Sequence, residues 1–525
     1  MKNSFFLVIP EQQKDENLLA AYKKEAINQW LLELPTANPG LSTRLFYDFI
    51  EQLNTVEMPV QQRLDALEVL RPEFLSIEEY LRPRLISSGF PKGEDEQKVF
   101  SLIISIEKHF TTGYWNVVRE LTGRDVGWFK GKDAVLAIQR TIKGLSRIVV
   151  THYMMFLPVP EWVWIDIHSL YRLSVRSKNE TTKVNDETCL PGKTSTIEDS
   201  YKQILLLSLA DPTGLMQKEF QQVYNFIGQI AQHVRIESQP IKKQSIQCIV
   251  LPDEDAKPYF DQTGKQADTE KMYLNILKLN KMLKKKDKFS NKNEARFGTI
   301  QLSRRLSDKL SIGLLEYLIQ CWEGTELKGS LLFTDRLDRH VVIGITEAHL
   351  LQHPEDNANE GVEILAESFS DKALSCKFEK IGVLSIGRLV SYRKANESKN
   401  QYSLGIVKKM TMPKQGGCII FELEDLSDNS YVVTYLNRDA KKDSEPFKAL
   451  LYGVKTEIEE KSFIILESLV QKDDDIIRIN MNDESFPIVL VNKKNVGLGY
   501  FQFECRRMDE EKVIERSEKK GFDFI

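Results

Sequence analysis

The stretch LFTDRLDRHVVIGI, residues 332–345, decides how the chain divides. Two arginines, Arg336 and Arg339, stand in a polar loop directly ahead of an unbroken β-branched run. Branched side chains suit a pleated, half-buried surface, so the run predicts a buried strand. Paired guanidiniums at the mouth of such a strand offer planar donor forks to an anion.

Upstream, from about residue 12 to 250, the apolar period is helical. Leu45, Phe46, Phe49, Ile50 and Leu53 recur at three- and four-residue steps, as do Leu64, Leu67 and Leu70. Ser42, just past the PTANPG turn, is the expected N-cap, and Pro59 and Pro72 are expected where helices begin or end. Phe220, Val223, Phe226, Ile227 and Ile230 repeat the scheme after a DPTG turn. No repeat period emerges, so the prediction is helical hairpins or a bundle. Residues 175–200 are polar and read as an exposed insertion, and the lysines of 282–298 read as a solvated connector.

Downstream the period becomes two. HVVIGI, GRLVSYR, YSLGIVKKM, CIIFELEDL, SYVVTYL, SFIILESLV, DIIRINM, FPIVLV and YFQFECRRM are short, β-branched or aromatic, and bounded by Gly, Asn, Asp and Ser. Such spacing favours a small closed barrel or a pair of them, because closure removes exposed edges. The expected fold class is α+β multidomain: a helical domain over 1–250, a linker and helical connector over 251–328, a small closed β-barrel over 329–440 and a second small β domain over 441–525.

Composition narrows the function. The chain has 525 residues, 42% hydrophobic and 28% charged, with a net charge of −4. It lacks the general positive field that nucleic-acid binding needs. Cys189, Cys248, Cys321, Cys376, Cys418 and Cys505 are far apart without a CxxC pair, which predicts reduced thiols and a cytoplasmic setting. No apolar run reaches the length of a spanning helix, and charged residues follow MKNSFFLVIP where a leader would be cleaved. Neither membrane insertion nor a leader is expected.

Catalytic and metal signatures are absent from the pattern. LPGKTST at 190–196 resembles the end of a phosphate loop, but position 187 is Glu where glycine is needed. Trp164, His168 and Tyr171 share a helical face and read as a packed contact. No histidine pairs with a carboxylate at metal-ligand spacing, and no nucleophile is ordered with a base, so no enzyme, metal or cofactor is expected.

The order of elements from 330 to 430 resembles the PilZ domain, a six-stranded barrel that binds the bacterial messenger cyclic di-GMP. That family carries an RxxxR loop before its first strand, then a [D/N]xSxxG turn and two glycine-bearing strands. The matching positions are Arg336 and Arg339, the turn Ser368-Phe369-Ser370-Asp371-Lys372-Ala373, the strands carrying Gly387 and Gly405, and CIIFEL. The arginines are three apart where the family has four, Ser368 replaces Asp or Asn, and Ala373 replaces Gly. Arg388 and Arg393 with DLSDNS at 425–430 form a poorer second match.

The resemblance implies a ligand site at Arg336, Arg339, Ser368 and Ser370, with cyclic di-GMP as ligand. On that reading the protein is a bacterial signalling adaptor whose helical half docks a protein partner. The alternative is a ligand-free scaffold or chaperone-like interaction protein.

Overall fold

Asparagine and proline, not serine, start the third helix of the chain. In helix α3 (Pro39–Leu53) Asn38 is the N-cap, its Oδ1 accepting from Leu41 N at 3.2 Å, and Pro39 opens the first turn. Ser42 therefore lies inside the helix and donates to the Pro35 carbonyl, correcting its expected role as the cap. Proline's fixed φ suits the first helical position, where no N–H is needed. Pro59 does precede α4 (Val60–Leu85), but Pro72 sits within that helix instead of ending it. The buried face of Leu64, Leu67, Leu70, Phe74, Ile77 and Leu81 continues on both sides, so packing holds a helix that local sequence would break.

The computed structural model describes residues 6–122, 131–189, 193–242, 244–261, 270–284, 290–291, 310–325, 331–352, 363–397, 401–414, 417–438, 444–455, 460–481 and 484–508. They form two compact units: the described residues up to 325 except 89–91, and residues 89–91 with those from 331 onward. The lysine run of 282–298 and positions 190–192 of LPGKTST fall largely or wholly outside the described residues.

In the helical unit α1 (Glu16–Ala21) and α2 (Lys24–Glu33) precede α3 and α4. Then come α5 (Glu94–Thr122), α6 (Lys132–Met154), α7 (Val163–Arg176), α8 (Ile197–Leu209) and α9 (Glu219–Ile230). Strands β1 (Val184–Asn185) and β2 (Thr194–Ser195) pair within the polar stretch after α7. A four-stranded sheet is built from β3 (Arg235–Glu237), β4 (Gln247–Val250), β5 (Tyr259–Asp261) and β6 (Met272–Asn275), in the order β3-β6-β4-β5. Helix α10 (Leu277–Leu283), the pair β7 (Ser290–Asn291) and β8 (Leu310–Ser311), and α11 (Ile312–Trp322) complete the unit. His168 is buried with its ring nitrogens 2.8 Å from Tyr201 Oη and 2.9 Å from the Ala256 carbonyl, and Tyr171 stacks on Tyr201. The aromatic face of α7 is thus packing.

Helix α6 is the centre of this unit and carries charge into it. Its Gln139 and Arg140, with Arg71 of α4, converge on Asp186, which is fully buried although it belongs to the polar 175–200 stretch. Arg71 Nη2 is 3.1 Å from Asp186 Oδ1, and Gln139 Nε2 donates to Oδ2 at 2.9 Å. Burial alone would raise the Asp186 pKa, yet Lys143, Arg71 and Arg140 with the Thr188 hydroxyl hold it well below the usual carboxylate range.

A second buried set has the opposite electrostatics. Glu107, fully buried, accepts from Arg82 at 3.2 Å and from Thr151 at 2.9 Å, close to Glu78. Burial first, and then the Glu78 charge, push its pKa up to about 8 against the opposing pull of Arg82. Unfolded glutamate titrates near about 4.3. Between these values the folded chain keeps a proton that the unfolded chain has released, so stability falls as pH rises through the window. Glu107→Gln, which mimics the protonated form, is expected to flatten the dependence of melting temperature on pH between 5 and 8. An unchanged slope in the variant would assign that dependence elsewhere.

The second unit begins with β9 (Arg339–Ile343), α12 (Ile345–Gln352), β10 (Ile364–Ser368), β11 (Ala373–Cys376), β12 (Leu389–Lys394), β13 (Tyr402–Thr411) and β14 (Ile419–Asn437). These strands pair in the ring β9-β12-β13-β14-β11-β10, closed by β9 against β10. It is a closed barrel, as the alternating pattern predicts, with the six strands that the resemblance implies. The additional strands are β15 (Phe447–Lys455), β16 (Glu460–Leu466), β17 (Ile476–Met481), β18 (Glu484–Gly497) and β19 (Tyr500–Arg507).

They too close a ring, because β14 is shared. Its residues up to Ser430 pair with β11 and β13, and Tyr431 to Asn437 pair with β15 and β17. Val433, Tyr435, Ile464, Ile477, Ile488 and Phe503 fill part of the second core. Another core joins Val342, Leu389 and Ile406 of the first ring to Leu450, Ile465 and Tyr500 of the second, with Ile345 and Ala348 of α12. At Gly497 a Cβ would lie 2.3 Å from the Gly387 carbonyl oxygen, so only glycine allows this approach. Gly497→Ala is expected to destabilise the β unit by about 1–3 kcal/mol through overpacking. A denaturation midpoint equal to that of the parent protein would refute it.

Candidate functional site

Two loops meet at the entrance to the first barrel. Phe333, fully buried, anchors the first by donating its N–H to the Asp371 carbonyl at 3.0 Å in the second. Asp335 makes an Asx turn, accepting from Leu337 N at 3.1 Å, and Arg336 is held in the left-handed region at φ 55°. Strain of this kind in a non-glycine residue is worth noting at a site. Asp338 Oδ1 accepts from Ser368 N at 3.1 Å, so Arg336, Arg339, Ser368 and Ser370 all lie on segments brought together here.

Their side chains are not equivalent. Arg339, 3% exposed, donates from Nη2 to both Asp335 carboxylate oxygens at 2.8 and 2.9 Å and from Nη1 to the Leu337 carbonyl, and its guanidinium lies 5.5 Å from the Phe333 ring centre. The Asp335 pKa is lowered: its slight burial acts upward, but the Arg339 fork and the Leu337 N–H prevail. Arg339 therefore fastens the start of β9. Arg336 has a side chain 56% exposed, with Nε 2.6 Å from Asp371 Oδ1 and Nη1 3.4 Å from the Phe369 carbonyl.

The serines divide in the same way. Ser370 Oγ accepts from Lys372 N at 3.2 Å and shapes the turn. Ser368 Oγ is buried without a hydrogen-bond partner among the described residues. Ala373, standing at the family's glycine, opens β11 opposite Glu422 and is not among the residues with positive φ. The alanine therefore fits as a strand residue. In the second match, Arg393 is tied to Glu363 by two hydrogen bonds of 2.6 and 2.7 Å.

Sequence reasoning missed the counter-acids. The i,i+4 spacing of Asp335 and Arg339 in TDRLDR, already visible in the sequence, was the available signal. Asp371 gave none, because it meets Arg336 only through folding. Phe369, 57% exposed, and Leu337, 41% exposed, add an apolar rim. The assembled entrance offers one accessible guanidinium and an exposed aromatic ring, chemistry suited to a phosphate attached to a flat base. Among the described residues no group of three or more His, Cys, Asp or Glu is placed to hold a metal ion, and no helix is long and apolar enough to cross a membrane.

Residues 25–241, within the helical unit, match the family described as "Cyclic-di-GMP receptor FimW, N-terminal domain". The chain is 26% identical over 234 residues to the cyclic-di-GMP receptor FimW of Pseudomonas aeruginosa, covering 45% of this chain and 38% of that protein. It thus spans about two fifths of the length of the curated relative it matches. The helical region is a distant homologue of a receptor class, and the closed barrel follows it in the same chain. No solved structure matches.

Proposed function

We propose that this chain is a non-enzymatic, cytoplasmic signalling adaptor that receives cyclic di-GMP at the entrance of its first barrel and docks a protein partner through its helical unit. The observation that carries the reading is the homology of residues 25–241 to the N-terminal domain of a cyclic-di-GMP receptor, in a chain that continues into a six-stranded barrel. Arg336 supplies the mobile cation. Its pair with Asp371 is exposed, and such pairs contribute about 0–1 kcal/mol, so a phosphate can displace the carboxylate at small cost. Arg339 stays with Asp335 and keeps the loop shaped.

A second reading, a ligand-free scaffold, draws on the same contacts, since both guanidiniums already face carboxylates. Calorimetric titration separates the two. Cyclic di-GMP is expected to release heat with the parent protein in the micromolar range and to bind Arg336→Ala at least tenfold more weakly. An absence of heat from the parent would leave the scaffold.

A further inference from the structure

A small pocket in the helical unit is lined in part by a buried aspartate, one of whose carboxylate oxygens lacks a donor. Asp166, near the start of α7, is 4% exposed. Its Oδ2 accepts the backbone N–H groups of Phe6 at 2.9 Å and Leu7 at 3.5 Å, while Oδ1 is buried with no hydrogen-bond partner. Buried polar atoms are almost always paired, so an orphan acceptor calls for a group that the protein does not supply.

The surrounding space has a definite shape. From Asp166 the α7 residues Ser169, Leu170, Leu173 and Arg176 follow at helical spacing along one face, with Trp115 of α5 and Leu7 closing the sides. The cavity measures about 190 Å³, and an apolar cavity of about 150 Å³ suffices for benzene. Buried Leu170 and Leu7 lie deep, and the exposed Ser169 and Arg176 sit at the rim. Water needs two to four polar partners, and three leucines and a tryptophan make up most of this lining. The pocket suits a molecule that brings its own apolar body.

We propose that this pocket binds a small primary amine, with its ammonium on Asp166 Oδ1 and a phenyl-sized or branched aliphatic body against Trp115, Leu170 and Leu173. Burial pushes the Asp166 pKa up to about 7, and an ammonium supplies the missing donor and also favours the ionised carboxylate, whereas a hydroxyl supplies only the donor. Apart from Phe6 and Leu7, its residues lie within the stretch that matches the receptor's N-terminal domain, and it is independent of any ligand at the barrel.

Benzylammonium and its near-isostere benzyl alcohol, titrated into the full chain and followed by ligand-observed NMR, test the assignment. Benzylammonium is expected to bind saturably, at least tenfold more tightly than the alcohol. Asp166→Asn, whose amide oxygen still accepts from Phe6 and Leu7, is expected to abolish that preference. Leu173→Trp, with circular dichroism unchanged, is expected to block both probes. Equal affinity for the two probes, no saturable binding, or full binding to Asp166→Asn would overturn the proposal.

Discussion

Asp186→Ala is expected to cost the helical unit about 3–5 kcal/mol, the usual result of leaving buried charges without their partner. Arg71 and Arg140 have side chains only 10% and 5% exposed, and Lys143 is buried beside them. Removing the carboxylate takes the ion-pair partner from Arg71 and withdraws negative charge from Lys143, while Arg140 keeps Glu68 at 2.9 and 3.0 Å. Its pKa is lowered in the folded chain, so its contribution is complete above the unfolded value of about 3.9 and is lost as pH falls toward the folded one. The variant's deficit is therefore full at neutral pH and shrinks in acid. Urea unfolding followed by helical circular dichroism checks this: a lower midpoint at unchanged slope supports it. A change below about 1 kcal/mol would show the network to be dispensable.

The second large effect separates two arginines that look alike in sequence. Arg339→Ala removes a buried guanidinium hydrogen-bonded to both Asp335 oxygens and its packing on Phe333, and is expected to destabilise the β unit by about 2–3 kcal/mol. Arg336→Ala breaks one exposed pair and is expected to stay within about 1 kcal/mol of the parent. The ligand phenotype should run the other way, with Arg336→Ala losing cyclic di-GMP while remaining folded. Equal destabilisation by both substitutions would remove the distinction between a fastening arginine and a receiving one.

Strand and helix content was legible where the local period is strong, whereas the short strands β3 to β6, which lie where the sequence reads as helical or as linker, carry too few residues to show a period. The β-branched run at 339–343 and the alternation in 419–437 forced strands, and the stripes of α3, α4 and α9 forced helices. Cap positions were less legible, since Ser42 and Asn38 both have capping side chains and only Pro39 decides between them. The sharing of β14 between two rings was hidden, because a strand carries no mark of where its partners change. The candidate site was half visible. Loop order placed Arg336, Arg339, Ser368 and Ser370, but Asp371 and the buried Asp186 act across distances in sequence that no spacing rule spans.

Hydrogen–deuterium exchange of the parent chain and Arg336→Ala, with and without cyclic di-GMP, is the most direct measurement of the central claim. The account predicts slowed exchange at 333–339 and 368–373 in the parent on adding the dinucleotide, and none in the variant. Protection confined to other segments, or no change at saturating dinucleotide, would contradict it.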